Sequence, residues 1–157
     1  MDAAHIHLLL NHVPLISILI GFFLLGAGLF FRKDDLKTAA LLLFFVSGLV
    51  TVPVYLTGEG AEDKIEGLPG VSEVWIHNHE EAAEFALTSV LALAGISLLG
   101  LLAGPKRPKI YVPVILIALA GSFFAETVMA RTAYLGGQIR HTEIRSSQQP
   151  AETGDTD

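Results

Sequence analysis

The sequence predicts an all-α membrane domain: a bundle of four transmembrane helices built from two hairpins, with both termini on the outer side. Three observations carry that expectation. The 157 residues are 52% hydrophobic, with a mean hydropathy of +0.56, and the apolar residues come in long blocks. Four of those blocks are long enough to cross a bilayer. The basic residues gather in the two short turns between blocks.

The first block, residues 13–31, carries no charge, and neither do the second, residues 38–56, or the third, residues 85–103. The fourth, residues 110–129, carries only Glu126. A helix rises about 1.5 Å per residue, so each block spans the roughly 30 Å of hydrocarbon. A soluble helix would show a polar face every 3.6 residues or so, and these do not. Arg32-Lys33-Asp34-Asp35 joins the first pair, and Gly104-Pro105-Lys106-Arg107-Pro108-Lys109 joins the second. The positive-inside rule puts both turns in the cytoplasm and both termini outside. On that outer side Lys64, Arg131, Arg140 and Arg145 are spread more thinly among most of the acidic residues.

Residues 58–76 read as the one long loop, with Trp75 at an interfacial depth. Asn78 followed by Glu81 looks like the N-cap and capping-box partner of the third helix. Gly58-Glu59-Gly60 and Gly136-Gly137 read as helix ends. Residues 1–145 form one domain, and the Ser/Gln/Thr/Asp-rich residues 146–157 are expected to be disordered. A faint repeat links the hairpins. Each starts with a histidine cluster and ends in a similar phrase, Tyr55-Leu56-Thr57-Gly58 and Tyr134-Leu135-Gly136-Gly137.

Several chemistries are excluded. Without cysteine there is no disulfide, thiolate zinc site, iron–sulfur cluster or CxxCH haem attachment. A net charge of −6 offers no basic face to a nucleic acid. Met1-Asp2-Ala3-Ala4 lacks the basic start of a cleavable signal. No nucleophile–base triad, phosphate loop or nucleotide motif is present, so no enzyme activity is expected.

What remains is a set of ligand-type residues at one level. The sequence has six histidines, and the topology puts all of them on the outer side: His5, His7 and His12 before the first span, His77 and His79 before the third, and His141 after the fourth. His7 and His12 are about 140° apart around a regular helix, so they do not easily share a ligand. Pro14 either opens the first helix at its first turn or, if the helix starts earlier, frees the Leu10 carbonyl and kinks it.

Three functional readings follow. In the first, His12 and His79 clamp a b-type haem for electron transfer, with His7 and His141 beside it. His5 and His77 stay at the aqueous edge. The stripe Ala82, Ala83, Ala86 and Val90 gives a flat macrocycle a place on the third helix, or equally serves close helix packing. Arg131 or Arg140 would meet a propionate, and Glu126 would find a partner on another helix or on the bound group. In the second, a divalent transition metal (zinc, copper or iron) is held for binding or sensing by His7, Glu59, Glu62, Glu80, His141 and Glu143, as four-helix bundles do with His and Glu on facing helices. In the third, the chain is a non-catalytic structural subunit. Partners are the bilayer and, by function, a redox partner or other membrane subunits.

The phrases HIHLLLNHVP, YLTGEGAED, HNHEEAAEF and AYLGGQIRHTEI resemble those of a group of small bacterial four-helix membrane proteins of unknown function. The resemblance runs from about His5 to Arg145. It implies a likeness to small b-type cytochromes and a role for the matching positions: His7 and His12, Glu59 and Glu62, His79 and Glu80, and Arg140, His141 and Glu143. It supplies no activity.

Overall fold

The computed structural model describes residues 2–145, so the predicted tail at 146–157 lies outside the described residues. The elements are α1 (Ala3–Leu10), α2 (His12–Phe30), α3 (Asp34–Leu56), α4 (Gly58–Glu62), α5 (Glu73–Ala103), α6 (Pro108–Arg140) and a 3-10 turn, Thr142–Ile144. All described elements are helical. Four helical stretches are long and apolar enough to cross a membrane: Ala3–Phe30, Asp34–Leu56, Glu73–Ala103 and Pro108–Arg140.

These stretches form two antiparallel hairpins, α2–α3 and α5–α6. α3 packs on α5 and α2 on α6, which closes a four-helix ring. Ile18, Leu25, Leu41, Phe44, Val90, Leu93, Ile115 and Ala118 fill its centre. Large apolar side chains also cover the outside, among them Phe23, Leu49, Leu99, Leu102, Ile117 and Phe123. A bundle that is apolar inside and out is built for lipid, not water. The buried hydroxyls of Ser47, Thr51 and Ser97 donate to carbonyls one turn back at 2.7 Å, whereas the buried Tyr111 hydroxyl finds no partner among the described residues.

With hydrocarbon on both sides of the exchange, helices associate by close packing across small residues. Gly48 on α3 is one such point, because a Cβ there would collide with the Ala94 Cβ on α5. Gly48→Leu should therefore destabilise the bundle by about 1–3 kcal/mol through overpacking. Gly26→Leu, where nothing lies within 4 Å, should not. Unfolding of both variants in mixed micelles checks the difference, and equal stability would remove Gly48 from the interface.

The turns behave as their residues predict. Arg32 takes φ 54 after α2, and the Lys33 N–H caps the Gly28 carbonyl at 2.9 Å. Gly104 takes φ 61 after α5, and Pro108 opens α6.

Several helix ends extend beyond the apolar runs. The first helix begins at Ala3, the earlier of the two starts the sequence allows, and passes through Asn11 in right-handed helical geometry, so Pro14 sits inside a longer span. α5 begins at Glu73 with Ser72 as its extended N-cap residue, which puts Asn78 and Glu81 inside the helix. The cause is a second apolar cluster, in which Trp75 and Ile76 pack on Ile139, with Ile65 and Val71 against them. Trp75 is thus only 7% exposed. α6 runs through Gly136 and Gly137 to Arg140 instead of ending there. Gly58 starts the short α4.

Candidate functional site

α1 continues through the helical Asn11 into α2 and packs against α4 and the end of α3. From α1, His7 turns inward. Its Nδ1 lies 2.9 Å from the carbonyl oxygen of Val54, one of the last carbonyls of α3, which also accepts from the Thr57 hydroxyl at 3.0 Å. His79 on α5 makes the matching contact across the second hairpin, with Nδ1 3.0 Å from the carbonyl oxygen of Thr132 on α6. Its ring lies against Gly136. A Cβ at that position would stand 2.9 Å from Cε1 and 3.1 Å from Nδ1 of His79, so only glycine leaves the ring its place. Gly58 plays a weaker version of this part for His7, with its Cβ position 3.9 Å from the ring.

These tethers set the chemistry of both rings. A carbonyl oxygen only accepts hydrogen bonds, so Nδ1 carries the proton in each neutral imidazole and Nε2 keeps its lone pair. Nδ1 held by a backbone carbonyl, with Nε2 left as a donor of electrons, is how metal-binding histidines are oriented. His7 and Glu80 are both close enough to act electrostatically on His79.

Two carboxyls lie at the same end of the bundle. Glu62, at the end of α4, and Glu80, next to His79, stand within hydrogen-bonding reach of each other. Partial burial, then the Glu80 hydrogen bond and charge, then Glu66 and Asp63, push the Glu62 carboxyl up to about 7. The pair therefore shares a proton near neutrality. Among the described residues no three His, Asp or Glu side chains already converge as a finished metal cage.

The raised Glu62 value has a consequence for the metal-free protein. In the unfolded chain Glu62 titrates near its ordinary value of 4.5. The folded state thus holds the proton more tightly. The stability linked to Glu62 is fully present below about pH 4.5 and is lost as the pH rises through about 7. Thermal unfolding of metal-free protein should show that loss, and Glu62→Gln should flatten it. An unchanged pH profile in the variant would mean that the carboxyls do not meet.

The other predicted residues are placed elsewhere. His12, read above as one of the axial pair, is exposed, and its ring bonds the Asn11 side chain. The reason is the 140° between positions five apart: with His7 turned inward, His12 points out. His141 is also exposed and pairs with Glu143 at 2.9 Å. Glu143 is held below its usual value by a backbone hydrogen bond and by His141. Glu59, Arg131 and Arg140 are exposed. His5 bonds Asp2, whose side chain caps α1, and His77 reaches Glu81 at 3.5 Å. Glu126 is half-buried, and its Oε2 finds no partner among the described residues.

The alanine stripe serves packing. Ala82, Ala86 and Val90 are 5%, 2% and 0% exposed, and the Thr132 hydroxyl donates to the Ala82 carbonyl across the interface at 3.0 Å.

No protein-family model, curated protein or solved structure matches the chain. The site therefore has to be read from its own residues.

Several of those residues had no signature in the sequence. The Val54 and Thr132 carbonyls and Gly136 are of this kind. So is Arg145, whose guanidinium donates to the carbonyls of Gln138, Ile139 and Gly70 and stacks 5.5 Å from the Trp75 ring. Arg145 thereby ties the loop before α5 to the end of α6. An aromatic residue and a basic one near opposite ends of a hairpin would have been the available clue.

Proposed function

We propose that the protein is a membrane-embedded binding site for a single transition-metal ion. Nε2 of His7 and His79 would be the nitrogen ligands, and the Glu62 and Glu80 carboxylates the oxygen ligands. The carrying observation is the paired tether, in which two inward imidazoles from different hairpins each spend Nδ1 on a backbone carbonyl. Neutral imidazole with carboxylate is a donor set for zinc, copper or iron. A bound ion would supply Lewis acidity or, as copper or iron, one-electron chemistry. The protein's own contribution is to fix the two ring orientations and to keep a proton on the carboxyl pair until an ion displaces it.

The same imidazoles have the chemistry of axial haem ligands, but their surroundings fit a macrocycle poorly. The small-residue face of α5 is already covered by α6. A b-type haem used in electron transfer would need another surface to lie on, so the single ion is the better reading.

Purified, detergent-solubilised protein should contain about one zinc, copper or iron per chain by elemental analysis. The double variant His7→Ala, His79→Ala should contain none. A Soret band with stoichiometric iron would restore the haem reading. Metal retained by the double variant would remove these two histidines from the site.

The site end of the bundle faces outward from a bacterial inner membrane in this proposal, because Arg32, Lys33, Lys37, Lys106, Arg107 and Lys109 cluster at the opposite end. A reporter fused after Arg145 should be active only outside the cytoplasm, and one in the Lys106–Lys109 turn only inside. The reverse pattern would put the metal site on the cytoplasmic face.

A further inference from the structure

On the outer surface of the α5–α6 hairpin lies a cleft of about 390 Å³, lined by Asn78, Glu81, Ala82, Phe85, Arg131 and Leu135. A second hollow of about 260 Å³ shares Glu81 and Phe85 and adds Glu84 and Thr88. Asn78, Glu81, Phe85 and Thr88 follow one another at helical spacing, so the two hollows make one groove down a single face of α5.

The groove changes character along its length. Its upper end is charged with both signs. Arg131 forms no ion pair within 4.0 Å among the described residues, and Glu81 has only the solvent-exposed His77 beside it. Arg131 and Glu81 thus line one cleft without touching each other, which leaves room for a ligand between them. Glu84 is the last charge before the uncharged run of α5, so this level is the boundary between water and hydrocarbon. Below it the surface is aromatic. Phe85 and Phe124, 52% and 53% exposed, meet edge to face with ring centroids 6.0 Å apart.

We propose that this groove binds a phospholipid with a primary-amine headgroup. The Arg131 guanidinium takes the phosphate oxygens. The Glu81 and Glu84 carboxylates accept from the ammonium, and an acyl chain runs down over Phe85 and Phe124. The charge count decides between headgroups. Two carboxylates beside one guanidinium disfavour a purely anionic lipid. A quaternary ammonium has no N–H to donate to Glu81. The proposal rests on the membrane-spanning fold and is independent of the metal site, since neither His7 nor His79 lines the groove.

Native mass spectrometry of the full chain in detergent tests it, titrating phosphatidylethanolamine, phosphatidylcholine and phosphatidylglycerol with identical acyl chains. Phosphatidylethanolamine should bind about tenfold more tightly than the other two, the worth of one charge-assisted hydrogen bond. Glu81→Gln should remove most of its advantage over phosphatidylcholine. Arg131→Gln should weaken both lipids together. Soluble phosphoethanolamine should not compete, because it lacks the chain that follows the aromatic surface. Equal binding of all three lipids by the wild type would overturn the proposal. So would an Arg131→Gln protein with undiminished phosphatidylethanolamine binding, or effective competition by the soluble headgroup.

Discussion

Alanine at His79 should lower metal affinity at least about 100-fold, more than the 10–100-fold typical of losing a partner behind a ligand. His7→Ala should do the same, and His12→Ala should do nothing. His79 is fixed on three sides: by the Thr132 carbonyl, by the surface of Gly136, and by the fields of His7 and Glu80. His12 has only Asn11 and an exposed ring. The three variants should fold alike, because none of these side chains belongs to the bundle core. Titration of the metal-free proteins with zinc, cobalt or copper measures the ratio. Equal affinities for His7→Ala and His12→Ala would mean that the first helix is turned the other way in the membrane.

Gly136→Ala is the second large effect, and it reaches the site without removing a ligand atom. The new methyl group would stand 2.9 Å from Cε1 of His79 and 3.1 Å from Nδ1, inside contact distance of the ring. The ring has to tilt, its bond to the Thr132 carbonyl breaks, and Nε2 turns away. Affinity should fall about 10–100-fold, as for loss of an outer-shell partner. Helicity should hold or rise, since alanine is favoured over glycine inside a helix by about 1 kcal/mol. Weaker metal binding in an equally stable protein is a signature that a general folding defect cannot produce. Unchanged affinity would mean that Gly136 only makes room for helix packing.

That glycine also marks where sequence reasoning stopped. Gly136-Gly137 reads as a helix end, because glycine is costly in a helix interior. The residue instead lies against a histidine on another helix, a contact that no local rule contains. The spans themselves were legible for the opposite reason. A bilayer imposes length and polarity on each segment separately, so four uncharged runs sufficed. Their ends were not legible. α5 and α6 continue beyond the apolar runs because Trp75, Ile76 and Ile139 pack together, a contact between distant residues.

The site was half legible. The histidine level, Glu62 and Glu80 stand in the sequence as polar residues beside apolar runs. Choosing His7 over His12 required the rotational phase of the first helix. The spacing gives the angle between them but not which one faces α3. The pseudo-repeat does not align the two contacts: Gly58, beside His7, matches Gly137, whereas the His79 ring rests on Gly136.

X-ray absorption at the edge of the bound metal tests the central claim most directly. The account predicts a first shell of two imidazole nitrogens at about 2.0–2.1 Å with oxygen ligands beside them, and the outer-shell scattering of two histidine rings. That scattering should halve in His7→Ala and in His79→Ala loaded with excess metal. Four equivalent porphyrin nitrogens, or a shell of oxygens without imidazole scattering, would contradict it.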